Sequence, residues 1–272
     1  MARIIAVSNQ KGGVGKTTTA VNLGASLAAG DQRVLLVDLD PQGNASTGSG
    51  VDKNNLTATS CEVLLGEVSI SDAIIDAEAA GYHLIPANSD LTAAEVRLMQ
   101  ELGRETKLRA ALETVQDRYD FILIDCPPTI NMLTLNAMTA ADGVLVPVQC
   151  EFYALEGLSS LLETIRQVRN SVNHKLEIEG LLRTMYDPRN RLSTDVSTQL
   201  AEHFADTIYS AIIPRNVRLA EAPSHGLPIV AYDPTSSGAK AYLALAGELV
   251  RREQDAASLM VIGAQDAVTQ TY

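Results

Sequence analysis

The sequence predicts an α/β fold: a doubly wound, mostly parallel sheet with helices on both faces. Two observations carry this. Short runs rich in Val, Ile and Leu recur at 3–8, 33–38, 82–86, 121–125, 143–148, 178–184 and 208–213, each of strand length. Most are apolar on successive residues instead of alternating, as strands are when helices cover both faces of a parallel sheet. Helical stretches separate them, and strands that alternate with helices build parallel crossover units.

The first strand, 3–8, runs into a glycine-rich turn, and a helix is expected over 17–29. There Val21, Leu23 and Leu27 sit among alanines, and Gly30 supplies a residue suited to a left-handed cap. The same apolar periodicity predicts helices over 91–112 and 155–170 and a closing helix over 239–254. Residues 1–253 contain no internal repeat, Pro- or Ser-rich linker or low-complexity tract, so one domain is expected over 1–253. Residues 254–272 are small and polar apart from 259–262, a composition expected to give a loosely ordered tail.

Composition narrows the class. Of 272 residues, 46% are hydrophobic and 20% charged, which excludes a disordered or fibrous chain. A formal net charge of -12 excludes a surface that is basic throughout, so contact with nucleic acid requires a local basic patch. Cys61, Cys126 and Cys150 are widely spaced, without a CxxC pair, which suggests neither a disulfide framework nor a zinc site. No secretion signal and no run of about 18–20 apolar residues is present, so a cytoplasmic protein without a membrane span is expected.

The segment Lys11, Gly12, Gly13, Val14, Gly15, Lys16, Thr17, Thr18 follows a predicted strand and opens a predicted helix, the setting of a phosphate loop. Glycines let successive amides turn inward onto a polyphosphate, and the helix adds the positive end of its dipole. In such a loop Lys16 bridges the β- and γ-phosphates of ATP, the Thr17 hydroxyl ligates Mg²⁺ and Thr18 bonds the α-phosphate. A turn that binds nothing is the bland alternative. Gln10 stands where the standard pattern has glycine, and Lys11 adds a second lysine.

Carboxylates lie at two other strand ends. Asp38 and Asp40 close the second strand, and the apolar run 122–124 ends in Asp125, followed by Cys126, Pro127 and Pro128. Parallel sheets bind ligands at the carboxyl ends of their strands, so both groups belong beside the loop. An aspartate there can hold Mg²⁺ through water; each can also simply cap a turn. His83, His174, His203 and His225 have neither metal-ligand spacing nor a nucleophile partner and are read as structural.

Lys11 in KGGVGKTT resembles the first lysine of the deviant Walker A motif of the ParA/MinD family of ATPases. The resemblance to the ParA/Soj chromosome-partition branch extends to about Glu253, most specifically in DCPP at 125–128, PVQCEFYALEG at 147–157 and IPRNVRLAEAPSHG at 213–226. It implies that Lys11 contacts the nucleotide of the opposite subunit in an ATP-dependent sandwich homodimer. It also implies that Asp40 orients the attacking water and joins Thr17 and Asp125 around the metal, with Asp38 holding Lys11 and the metal's surroundings. Catalysis is thereby assigned to Lys11, Lys16 and Asp40. Adenine is expected against Met185, Pro214 and Asn216, where no nucleotide-specific pattern is visible and an ordinary surface loop is the alternative.

For the same reason Arg189 and Arg218 are expected to touch double-stranded DNA without sequence preference, with Arg191 and Arg215 in support. Isolated arginines are otherwise solvated or paired with carboxylates. The resemblance further implies a nucleoid-associated protein of chromosome or plasmid partition with a ParB-type partner that stimulates hydrolysis. Membrane attachment of the MinD type calls for a basic amphipathic C-terminus, whereas 256–272 contains no Lys or Arg. A cluster shared between subunits through cysteines, as in the nitrogenase iron protein, and a small-molecule kinase or ligase are the other readings of the same loop.

Overall fold

The expected strands pair into one sheet because most are apolar on both faces and find helices above and below them. The computed structural model describes residues 1–53, 55–152 and 154–269. From the N-terminus, β1 (Arg3–Val7) leads through the glycine-rich turn into α1 (Lys16–Ala28), followed by β2 (Val34–Asp38) and α2 (Asn44–Gly48). Next come α3 (Ser60–Leu65), α4 (Ile70–Ala73), β3 (Ile75–Ala77), β4 (Tyr82–Ile85), α5 (Leu91–Leu98) and α6 (Lys107–Glu113). The centre holds β5 (Phe121–Asp125), α7 (Met132–Ala140), β6 (Gly143–Gln149), α8 (Ala154–Ser171) and β7 (Glu177–Tyr186). The chain continues with α9 (Arg191–His203), β8 (Ile208–Pro214), α10 (Val217–Glu221), α11 (Ile229–Tyr232) and α12 (Ser237–Thr269).

Among the described residues the eight strands lie in the order β3-β4-β2-β5-β1-β6-β7-β8. All neighbours are parallel except β3, which pairs antiparallel with β4 at the edge. The sheet sorts its side chains by parity. In β1, Ile4 and Ala6 pack into one apolar layer and Ile5 and Val7 into the other. The first layer lies under α3, α5, α6, α7 and α8 through residues such as Leu64, Leu98, Leu112 and Leu161. The second lies under α1 and α12 through Leu23, Leu27, Tyr242, Leu245 and Leu249. Burial of this extent, worth roughly 1.5–3 kcal/mol per large apolar side chain, fixes the strand ends that carry the polar residues.

Two expectations change. The helix expected over 91–112 breaks into α5 and α6, since Gly103 adopts φ 65° in the link between them. The closing helix expected over 239–254 is longer than that: α12 runs from Ser237 to Thr269. Small size misled the reading, because 255–262 holds alanines, Leu259 and Met260 with neither Gly nor Pro, and such residues propagate a helix already begun. Residues 270–272 of the expected tail lie outside the described residues.

Candidate functional site

Strand register brings the candidate residues together. Val7, the last residue of β1, lies opposite Asp125 of β5, and Asp125 lies opposite Asp38 of β2. The turn after β1 therefore emerges beside both carboxylates, with β6 on its other side. In this turn Gly13 and Gly15 have φ 74° and 90°, values that an L side chain would make costly. Gly15 caps α1 without any side-chain hydrogen bond, and the first turn of α1 carries no acidic residue. The positive end of a 13-residue helix is thus left for an anion.

Several side chains hold the turn in shape. Asn9, 5% exposed, donates from Nδ2 to the Pro147 carbonyl at 2.7 Å and accepts the Lys11 N–H on Oδ1 at 3.0 Å. Thr184 Oγ1 donates to the Val14 carbonyl at 2.8 Å, tying the turn to β7. Asn22 bridges the Thr18 carbonyl, 2.7 Å from its Nδ2, and the Ile229 N–H, 2.6 Å from its Oδ1. Sequence reasoning missed Asn9, Asn22 and Thr184, each of which has one partner far away in the chain.

Lys16 is buried, and its Nζ donates to the Lys11 carbonyl at 3.3 Å. Burial lowers the proton affinity of this ammonium, while Asp125 and Asp40 oppose that effect. Lys11 points the other way. Its Nζ, on a side chain 37% exposed, pairs with Glu151 Oε2 at 2.8 Å just beyond β6. The two lysines of one loop therefore face different surroundings, one within the fold and one at its surface.

The three aspartates are also unlike. Asp125 is fully buried and neither oxygen has a hydrogen-bond partner of ordinary geometry, although the Thr17 hydroxyl is near enough to lower its proton affinity somewhat. Desolvation, and then the adjacent Asp38, push the Asp125 carboxyl well above its ordinary pKa. A buried carboxylate without a donor, beside a threonine hydroxyl at a phosphate loop, fits a hydrated divalent cation. Among the described residues no group of three or more His, Cys, Asp or Glu could hold a metal alone, so phosphate and water oxygens would complete such a shell.

Asp38 is not the holder of Lys11 within this chain. Its Oδ1 accepts the Asp40 N–H at 3.1 Å, and its Oδ2 accepts the Ser46 N–H at 2.9 Å and the Ser46 hydroxyl at 2.7 Å. Complete burial keeps it away from a surface lysine. Burial pushes the Asp38 carboxyl up to about 6 against those three donors. Asp40, 9% exposed, accepts the Gln42 N–H on Oδ1 at 2.9 Å, so it does close a turn, and its charge acts on Lys16 of the loop. Cys126 and Cys150 are buried free thiols, ill placed to share a cluster with a second subunit.

On the β7–β8 side, Gly15, Thr18, Met185, Pro214, Asn216 and Tyr242 line a cleft of about 180 Å³. The structure thus gathers the three residues expected at adenine around one opening beside the loop. Met185 takes φ 50°, strain that an unbranched side chain at a cleft wall can retain. Asn216 caps α10 by accepting the Leu219 N–H and donates to Ser237 Oγ at 2.7 Å. Arg189 and Arg218 are exposed but paired. Arg189 bonds Asp187 at 2.9 Å, and Arg218 reaches Glu221 at 2.9 Å and Asp233 at 3.6 Å. Tyr153, within the 147–157 stretch, lies outside the described residues.

Known proteins resemble this chain in sequence and fold. The AAA domain family model matches residues 2–178. The chromosome partitioning protein ParA of Caulobacter vibrioides is 53% identical over 93% of this chain and 96% of its own length. The sporulation initiation inhibitor protein Soj of Bacillus subtilis is 51% identical over 92% of this chain and 98% of its own. Cobyrinic acid a,c-diamide synthase of Mycobacterium smegmatis, solved with ADP and magnesium, is 40% identical over 93% of this chain and 96% of its own, with a TM-score of 0.82. The cell division ATPase MinD of Pyrococcus furiosus is 30% identical over 92% and 99%, with a TM-score of 0.77. On the loop, the strand-end aspartates and these likenesses, the chain belongs to the ParA/Soj/MinD family of deviant Walker A P-loop ATPases.

Proposed function

We propose that residues 1–253 form an ATPase domain that segregates DNA, dimerising around ATP, binding duplex DNA without sequence preference and leaving it on hydrolysis. The divergence of the two loop lysines carries this reading. Lys16 turns into its own loop, whereas Lys11 sits at the surface with its amide fixed by Asn9. A surface lysine at the mouth of a phosphate loop is suited to the nucleotide of a second copy, which makes ATP part of the contact between subunits.

Lys16, Thr17, Thr18 and the loop amides would receive the phosphates, and the cleft at Met185, Pro214 and Asn216 would take the base. Thr17 and Asp125, with Asp40, would hold a hydrated Mg²⁺, which when bound neutralises charge on the phosphates. Asp40 would orient water toward the γ-phosphate. Arg189 and Arg218, from two subunits on one face, would supply a local basic patch that a chain of net charge -12 otherwise lacks. The Caulobacter relative's name, a chromosome partitioning protein, favours partition; nucleoid association and a ParB-type activator of hydrolysis complete the proposal.

Sedimentation of wild type and Asp40→Ala with ATP, with ADP and without nucleotide, each with and without arbitrary duplex DNA, tests the reading. The expected species is a DNA-bound dimer with ATP only, longer lived in Asp40→Ala, whose hydrolysis stops while ATP binding persists. Equal DNA binding in all three nucleotide states would overturn the switch. Phosphate release without any acid or amine acceptor separates the activity from the amide-forming chemistry named for the mycobacterial structure.

A further inference from the structure

The turn that carries Asp40 hangs from the Asp38 carboxylate, and one side chain outside every recognised motif holds that carboxylate. Ser46 lies in the five-residue α2 and is fully buried. Its N–H and its hydroxyl both donate to Asp38 Oδ2, at 2.9 and 2.7 Å. The Ala87 N–H donates to the same hydroxyl oxygen at 2.9 Å. With an incoming donor on one side, the Ser46 hydroxyl proton has one direction left, toward Asp38. Asp38 Oδ1 in turn accepts the Asp40 N–H at 3.1 Å. A continuous relay thus runs from the backbone after β4, through Ser46 and Asp38, to the amide of Asp40.

We propose that Ser46 is a positioning residue for Asp40, acting through the Asp38 carboxylate; this rests on the reading of Asp40 as the group that orients water. Without the hydroxyl, Ala87 loses its acceptor and Asp38 Oδ2 keeps one donor instead of two. The broad torsion at the end of an aspartate side chain then lets the carboxylate rotate and release the Asp40 amide. Main-chain placement of Asp38 survives, because Ser60 Oγ donates to its carbonyl at 2.7 Å. The effect is therefore on aim, and small errors in the aim of a reacting group cost up to about a hundredfold in rate.

The test compares Ser46→Ala with Ser49→Ala, which removes another buried hydroxyl from the adjoining turn. Ser49 Oγ donates to the Ala45 carbonyl at 2.7 Å and lies 2.6 Å from the Tyr82 hydroxyl, away from the relay. Ser46→Ala is expected to lower kcat for ATP by about ten- to a hundredfold with KM within about twofold, and Ser49→Ala to leave both within about twofold. Ser46→Thr, which keeps the hydroxyl, is expected to restore most of the turnover. In nucleotide-free protein, hydrogen exchange at the Asp40 amide quickens in Ser46→Ala and not in Ser49→Ala. Wild-type kcat in Ser46→Ala, or unchanged protection of the Asp40 amide, overturns the proposal. Should Ser46→Ala fail to fold, Ser46→Cys, of similar volume and weaker donation, gives the same readouts. Full turnover in Asp40→Ala would sink the reading of Asp40 and leave the exchange result standing on its own.

Discussion

The two flanks of the phosphate loop are built on opposite terms. On the β2–β5 side, Asp38 and Asp125 are fully buried, adjacent in register, and costly to keep charged. On the β7–β8 side, Met185, Pro214 and Asn216 line an open cleft, and Arg189 and Arg218 lie in solvent with nearby carboxylates. One flank stores electrostatic stress and the other is nearly free of it. Chemistry on phosphate needs fixed charge in a dry place, whereas a base or a DNA backbone needs a surface that can be reached. Stability and function should therefore respond oppositely to substitution on the two sides.

Asp125→Asn is the strongest test of the buried flank. Removing one of two facing carboxyls relieves the nucleotide-free chain while replacing one of the two donor-free oxygens that fit a cation by an NH2 group. Turnover should fall by about a hundredfold, as for losses around a metal site, while the melting temperature of the nucleotide-free chain at pH 7.5 rises by roughly 2–4 °C or more. The pH dependence has a defined sign. Asp38 is raised from 3.8 to about 6, so the stability favoured by its protonated form is complete below the unfolded value and lost as pH climbs through about 6. Urea titrations at pH 5 and pH 7.5 should give a smaller difference between the two pH values in Asp125→Asn. An identical difference in the two proteins would mean that the facing carboxyls do not stress each other.

A contact between the flanks gives the next largest effect. Gly50, just past α2, and Gly226, at the end of the turn after α10, both have positive φ and touch through their backbones. A Cβ on Gly226 would meet Gly50 Cα at 2.9 Å, whereas one on Gly66, also at positive φ, meets nothing within 4 Å. Gly66→Ala thus measures backbone strain alone. Gly226→Ala should cost about 1–3 kcal/mol beyond it by chemical denaturation, the usual cost of overpacking. Equal losses would show that the flanks part there freely.

The two flanks also differed in what could be read beforehand. The phosphate loop and the strand-ending Asp125 were legible because local spacing determines them: glycines, a lysine and a threonine in a strand-to-helix turn, and an acid after an apolar run. The seven longer strands were legible for a similar reason, most of them being buried on both faces. The three-residue β3 and short helices such as α2 and α10 were not, because capping and tertiary contacts stabilise them more than periodicity does. Asn9, Ser46 and Thr184 gave no signal, since each acts on partners set by the fold and serine or asparagine in a loop is ordinary. The adenine cleft and the arginines rested on family resemblance alone. No spacing rule connects Met185 with Asn216.

The exposed flank should respond least in stability and most selectively in function. Among the described residues Arg189 pairs with Asp187 two residues away, and Arg218 with Glu221 and Asp233, in solvent where such pairs contribute little. Arg189→Ala and Arg218→Ala should leave the melting temperature unchanged. Each pair must open before the guanidinium can meet a phosphate, so the arginines lose one partner as they gain another and the net gain comes from released counterions. In a double-logarithmic plot of DNA affinity against salt with ATP present, each substitution should therefore reduce the slope by about 1 per subunit, or about 2 for a dimer, for every sequence tried. A lower affinity with an unchanged slope would place these arginines outside the DNA contact, and a loss confined to some sequences would make them readers of bases instead of backbone.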